Sequence, residues 1–277
     1  MLSVGKGVTY NQLREWYSII IGEHNPRNIE IPHLLFHIFP SKETAKYVSP
    51  TIGFASMLSI KVIAEGIKVP DRSDWQSFVD FALRLKSPIG GISYEQFVDA
   101  YMRNYAKLPK LKVHDQQGNL VTKLKDTPRW RISQPDTWAI NISNALYNSY
   151  CSYDILPSNG AGIDSVYTSN NTVYFFQASP QSAAKFDEEH YVAMKKEIEF
   201  FYRVMGGEEE ISFKYCVLNN NMNAALKDRE DVFVIPMDDV FTPTQQQKIS
   251  KQIGNEFGSV FGSRPSSASA SDSDSDS

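Results

Sequence analysis

The segment Gly162-Ile163-Asp164-Ser165-Val166-Tyr167, then Asn170-Asn171, then Thr172-Val173-Tyr174-Phe175-Phe176-Gln177-Ala178-Ser179 sets the architecture of this chain. Two runs rich in β-branched and aromatic residues flank an Asn-Asn pair, the signature of a hairpin. One acid, Asp164, stands at the entry of the first strand. One amide oxygen, that of Gln177, stands at the exit of the second. A hairpin brings such positions together on adjacent strands at one end of a sheet. An acid and a second oxygen ligand there form the minimal frame of a Mg²⁺ site.

Around this segment the chain is ordinary in composition. It has 277 residues, room for one or two domains. Its net charge is −4, and Asp272, Asp274 and Asp276 in the last stretch carry most of that. The body is therefore almost neutral, with no basic excess of the kind that announces nucleic acid. Two cysteines, Cys151 and Cys216, are not a disulfide framework and read as reduced core thiols of an intracellular protein, cytoplasmic or nuclear. The start, Met1–Gly7, lacks the pattern of a signal peptide. No apolar run approaches the ~20 residues needed to cross a bilayer, so no membrane role is expected.

Residues 1–106 read as a helical region. Leu13, Trp16, Tyr17 and Ile20 recur at helical spacing in Tyr10–Ile21. Ile52–Gly66 reads as a buried helix ending at a glycine. Ser73-Asp74-Trp75-Gln76 and Ser93-Tyr94-Glu95-Gln96 have capping-box spacing. Phe54, Phe78, Phe81 and Phe97 suit helix cores. His33 and His37 are four apart, but their apolar neighbours make them packing or surface residues rather than ligands.

Residues 107–134 form the most basic window: Lys107, Lys110, Lys112, Lys123, Lys125, Arg129 and Arg131. This reads as a solvated connector or small hairpin, or as an arm that faces phosphate beside the Asp164 site. Residues 135–262 read as α/β: a helix over Asp136–Tyr150 capped by Asp136, the hairpin, a helix over Asp187–Met205, strands at Ile211–Leu218 and Val232–Pro236, and a helix over Gln245–Phe257. Residues 263–277 are almost wholly Ser, Ala and Asp, a composition expected to stay disordered. Alternating serines and aspartates there suit acidophilic kinases, which would make this a phosphoprotein.

The order helix, strand, strand, strand, helix, strand resembles the restriction-endonuclease-like (PD-(D/E)xK) superfamily. The branch found in Crinkler-type effectors and retrotransposon hot spot proteins is the most similar. Leu156-Pro157-Ser158-Asn159-Gly160-Ala161-Gly162-Ile163-Asp164, Val173-Tyr174-Phe175-Phe176-Gln177-Ala178-Ser179 and Val232-Phe233-Val234-Ile235-Pro236 carry the resemblance. It covers residues ~135–240. It implies an α+β fold, a helical N-terminal region followed by a nuclease-like mixed β-sheet with flanking helices. It also implies a Mg-dependent endonuclease site with Asp164 and Gln177 as metal ligands and catalytic residues.

The departures are specific. The family's lysine position is occupied by Ser179, so the group that orients the attacking water is missing. Lys185 or Lys214 would have to supply a displaced ammonium. Asn141 and Asn144 stand where an acid is often found. One carboxylate alone neutralises a divalent ion poorly. The expectation is a nuclease-like domain that binds nucleic acid, DNA or RNA, with a degenerate catalytic site. The alternative is a non-catalytic nucleic-acid- or protein-binding protein, such as a viral structural or accessory protein.

Overall fold

The computed structural model describes residues 8–20, 36–39, 51–54, 56, 59, 62–63, 66–84, 93–157, 162–178, 186–218, 226 and 229–251. The elements are β1 (Val8–Thr9), α1 (Tyr10–Ile20), β2 (Phe36–Phe39), β3 (Thr51–Phe54), β4 (Ile67–Lys68), α2 (Arg72–Arg84) and α3 (Tyr94–Arg103). There follow β5 (Lys112–His114), β6 (Leu120–Lys123), β7 (Arg129–Ile132), α4 (Trp138–Tyr147), β8 (Ser152–Ile155), β9 (Ser165–Ser169) and β10 (Thr172–Gln177). The last are α5 (Glu188–Val204), β11 (Ser212–Val217), β12 (Val232–Val234) and a helix over residues 243–251, α6.

Eight strands form one mixed sheet in the order β6-β5-β12-β11-β10-β9-β8-β7. Only β9 and β5 run antiparallel to both of their neighbours; β7–β8, β10–β11 and β11–β12 are parallel. The Asn170-Asn171 hairpin is present, and both residues have positive φ (45° and 54°). Asparagine tolerates that conformation, and two such residues make the tight turn whose twist matches the flanking strands. After β10 the chain crosses over through α5 to return parallel as β11, as a parallel pair requires.

Side-chain alternation divides two cores. Tyr153, Tyr167, Tyr174, Phe176 and Cys216 point to the face covered by α1, α2 and α3. Val166, Val173, Phe175, Tyr215 and Val217 point to the face covered by α4 and α5. The chain is thus α+β, a mixed sheet with flanking helices. The helical first region is bolted to the distal chain by side-chain bonds to backbone. Trp75 Nε1 and Gln76 Nε2 both donate to the Val240 carbonyl (2.7 and 3.0 Å), and Gln245 Nε2 donates to the Gln76 carbonyl.

Several local expectations change. Ile52–Phe54 lie on β3, paired with β2, rather than on a helix, because Thr51-Ile52-Gly53-Phe54 is itself β-prone; helical backbone recurs at Ser59, Val62, Ile63 and Gly66. His37 is on β2 opposite Gly53, which removes the helical His pair; His33 lies outside the described residues. Asp71, not Ser73, caps α2, accepting from the Asp74 N–H at 3.0 Å. Ser93 does close its capping box with Gln96 around α3. Thr137, without a side-chain capping bond, precedes α4 in place of an Asp136 cap. Asp187 caps α5 through the His190 N–H. Residues 107–134 supply β5, β6 and β7, including both outer strands of the sheet. Residues 263–277 lie outside the described residues.

One glycine is held by packing. A Cβ at Gly207 would sit 2.3–2.6 Å from the Tyr202 ring, which is only 4% exposed. Gly207→Ala is expected to lower stability by about 1–3 kcal/mol through overpacking, read by urea denaturation. An unchanged midpoint would show that the Tyr202 ring can move aside.

Candidate functional site

The sheet places Asp164 and Gln177 together. The β9–β10 register ends at Ser165↔Phe176, and the next pair outward is Asp164 with Gln177. The Asp164 N–H donates to the Phe176 carbonyl at 2.9 Å, and the Ala178 N–H donates to Asp164 Oδ2 at 2.6 Å. This end of the sheet is also where the parallel strands β8, β10, β11 and β12 finish, the edge at which open α/β sheets bind ligands.

A third group arrives from far away in the sequence. The Tyr94 hydroxyl donates to the Leu218 carbonyl just beyond β11 (2.8 Å), fixing the start of α3 at this edge. Glu95, the next residue, is close enough that its charge acts on Asp164. The Asp164 carboxyl is pushed up from its ordinary 3.8 to about 7, first by desolvation, then by Glu95, against a lowering by the Ala178 hydrogen bond. Desolvation pushes Glu95 up as well, although its side chain reaches the surface. Asp99, one turn along α3, accepts from the Tyr153 hydroxyl at 2.7 Å, and that hydroxyl also lies 2.8 Å from Ser165 Oγ.

Gln177 is 5% exposed, and its Oε1 accepts from the Tyr215 hydroxyl at 2.9 Å. That hydroxyl lies equally close to the Gly162 carbonyl. Tyr215, the diagonal neighbour of Gln177 on β11, therefore ties the end of β10 to the loop before Asp164.

The other expected partners divide. Ser179 and Lys185 lie outside the described residues. Lys214 does not reach Asp164: it pairs with Tyr174, three residues before Gln177, and its ammonium sits over the Tyr174 and Phe233 rings (5.6 and 5.0 Å). Asn144 Nδ2 donates to the Tyr150 hydroxyl and Asn141 Nδ2 to Thr137 Oγ1, so neither is engaged with the acids.

The start of β7, with the turn before it, lies at the opposite end of the sheet. Arg129 is in register with Ser152 at the start of β8, and Asp126 accepts from Ser169 at the far end of β9. At about 3.3 Å per residue, β9 separates this end from Asp164 by ~15 Å. Register puts Lys112 and Lys123, by contrast, on the acid-edge side of β5 and β6: Val217 pairs with Val234, Val234 with His114, and Lys112 with Lys123. Lys107, Lys123, Lys125 and Arg129 are exposed. Lys112 is paired with Asp239 at 2.9 Å, and Arg131 with buried Asp154. The Arg129 guanidinium stacks 4.3 Å over the Tyr150 ring.

The donor set does not fit Mg²⁺. One Asp164 oxygen is taken by a backbone N–H and the Gln177 oxygen by a phenol. The carboxyl holds its proton near neutral pH. Among the described residues no group of three or more His, Cys, Asp or Glu could hold a metal ion. Mg²⁺ demands near-octahedral oxygens and usually one or two ionised carboxylates.

Glu95 and Tyr215 were not legible as site residues. Glu95 reads from sequence as part of a helix cap, and its approach to Asp164 spans 69 residues. Comparison of the chain with family models, with curated proteins and with solved structures finds no match.

Proposed function

We propose that this protein is a nuclease-like domain that binds nucleic acid and does not cleave it. One observation carries the reading: the α4–β8–β9–β10–α5–β11 order sets Asp164 and Gln177 side by side, while one Asp164 oxygen and the Gln177 oxygen are spent on internal hydrogen bonds. The order and the juxtaposition support the restriction-endonuclease-like reading. The chemistry around them is that of a hydrogen-bonded plug. Glu95 and Asp99 also leave this edge acidic, which repels phosphate in the absence of a bound cation. The exposed cations of residues 107–134 supply the contact surface, a salt-sensitive attraction for a polyanion.

The test is fluorescence anisotropy with single-stranded DNA, double-stranded DNA and RNA at two salt concentrations, beside a cleavage assay with Mg²⁺ or Mn²⁺. The expected result is binding that weakens with salt, is reduced by Lys123→Gln with Lys125→Gln, and is accompanied by no cleavage. Removal of residues 263–277 should leave the melting temperature unchanged and strengthen binding at low salt, because a serine-aspartate tail competes with phosphate for the same lysines, more so when phosphorylated. Metal-dependent cleavage that disappears in Asp164→Ala would overturn the non-catalytic reading. Absence of salt-sensitive binding would overturn the nucleic-acid reading.

A second reading, a protein-binding role, is favoured by the outer face of α5. Phe200 and Val204, one turn apart, are 61% and 67% exposed, close to values for free side chains. Apolar groups of that exposure mark contact surfaces when they cluster.

A further inference from the structure

Two arginines flank the outer strand β7, each laid over an aromatic ring. Arg103, the last residue of α3, holds its guanidinium 4.5 Å over the Trp130 ring. Arg129 holds its own 4.3 Å over the Tyr150 ring. Arg129 and Trp130 are neighbours on β7, so their side chains leave opposite faces of the sheet. Both rings are braced from behind. Trp130 packs against the core under α1, α2 and α3. The Tyr150 hydroxyl accepts from Arg131 Nη1 and Asn144 Nδ2, each at 3.3 Å. Arg103 and Arg129 are themselves exposed, and neither guanidinium has a hydrogen-bond or ion-pair partner among the described residues.

Two lysines stand close by in the chain, Lys107 four residues after Arg103 and Lys125 four before Arg129. The Tyr105 hydroxyl donates to the Leu124 carbonyl at 2.6 Å and ties the two turns together. The one acid of the second turn, Asp126, accepts from Ser169 Oγ at 2.6 Å. The backbone adds donors. β7 has a neighbouring strand on one side only. The Arg129 and Ser133 N–H groups bond to the Cys151 and Ile155 carbonyls, so those of Trp130 and Ile132 point outward. Pro128 and Pro135 stand just outside the four residues of β7. A short, charged edge bounded by prolines resists pairing with another strand.

We propose that the β7 edge binds single-stranded nucleic acid. Bases stack on the outer faces of the Arg103 and Arg129 guanidiniums, and phosphates meet Lys107, Lys125 and the outward N–H groups. The proposal rests on the nucleic-acid reading above and names the form of the ligand. A guanidinium laid on a ring is a planar cation with one face still open, and it stacks on any base. Base faces are open in a single strand and covered in a duplex. Lysines and backbone N–H groups take phosphate without reading sequence.

Fluorescence anisotropy of the full chain with a labelled single strand and with its duplex is the test. The single strand should bind about fivefold or more tighter than the duplex. Arg103→Lys and Arg129→Lys keep the charge and remove the plane. Each should weaken the single strand about fivefold or more, leave the duplex unchanged and leave the salt dependence as it was. Both arginines are exposed, so the melting temperatures of these variants should match that of the unmodified chain. In the unmodified chain the amide resonances of Trp130 and Ile132 should move on adding the single strand, a readout that needs no variant. Absence of salt-sensitive binding to any nucleic acid would remove the reading beneath the proposal and the proposal with it. Binding that is equal for single strand and duplex, or indifferent to both substitutions, would overturn the proposal alone. Movement of those two resonances with an extended acidic peptide and not with the single strand would overturn it in favour of strand addition.

Discussion

Arg131→Ala is expected to destabilise the fold by about 3–5 kcal/mol, because it leaves a buried carboxylate without its counter-charge. Asp154 is fully buried on β8. It accepts from Arg131 Nε and Nη2 (2.8 and 2.9 Å), from Ser152 Oγ (2.7 Å) and from Ser133 Oγ (3.1 Å). Arg131 in turn donates to the Asn141 carbonyl, so one fork joins β7, β8 and α4. Bidentate geometry and saturated oxygens are the conditions under which a buried pair holds. The reverse change, Asp154→Ala, should cost less, since the Arg131 side chain is 28% exposed and can reach water. Replacing both by apolar residues of similar volume should recover much of the loss. Urea denaturation of the two single variants and the double variant measures this directly. Equal losses in all three would show that packing, not charge, is at stake. The same pair shows why not every acid of this sheet is a site: Asp154 is fully buried, and its partners account for it completely.

The parts of this fold that the sequence exposes are those whose cause is local. The Asn170-Asn171 turn, the Ser93 box and the period of α1 each depend on residues a few positions apart, and each stands where expected. The strand at Thr51–Phe54 was hidden because four apolar or β-prone residues ahead of a helical stretch fit either period. The basic window was open for another reason. Lysine clustering says nothing about which end of a sheet each cation reaches, and register spreads these over both ends. Glu95 and Tyr215 were invisible because they meet Asp164 and Gln177 through tertiary packing alone. A motif of one acid and one amide can thus be placed from sequence, while the groups that decide whether it works cannot.

Asp164→Asn is expected to stabilise the protein at alkaline pH and to be nearly neutral in acid. The folded carboxyl titrates at about 7 and its ordinary value is 3.8, so the native state binds more protons than the unfolded chain between those values. Stability of the unmodified protein must therefore fall as pH rises from about 4 to about 7, and stay level above. At about 1.4 kcal/mol per unit the ceiling is ~4 kcal/mol. Partial exposure of Asp164 brings the expectation nearer to about 2 kcal/mol. Asparagine keeps an oxygen for the Ala178 N–H and carries no charge to desolvate, so the variant should show the smaller dependence. Denaturation midpoints of the two chains at about pH 5 and about pH 8 measure the difference, which should open only at the higher pH. Glu95→Gln should lower the Asp164 carboxyl, since the Glu95 charge is the second cause of its elevation; carbon NMR titration of the carboxyl reads this independently of folding. The same experiment discriminates a plug from a metal site. A divalent ion would expel the proton from Asp164 and convert its charge from a cost into a contribution. Added Mg²⁺ or Mn²⁺ should then stabilise the unmodified chain at about pH 8 and leave Asp164→Asn untouched. With one Asp164 oxygen and the Gln177 oxygen already engaged by Ala178 and Tyr215, the expected metal effect is the same small one in both chains.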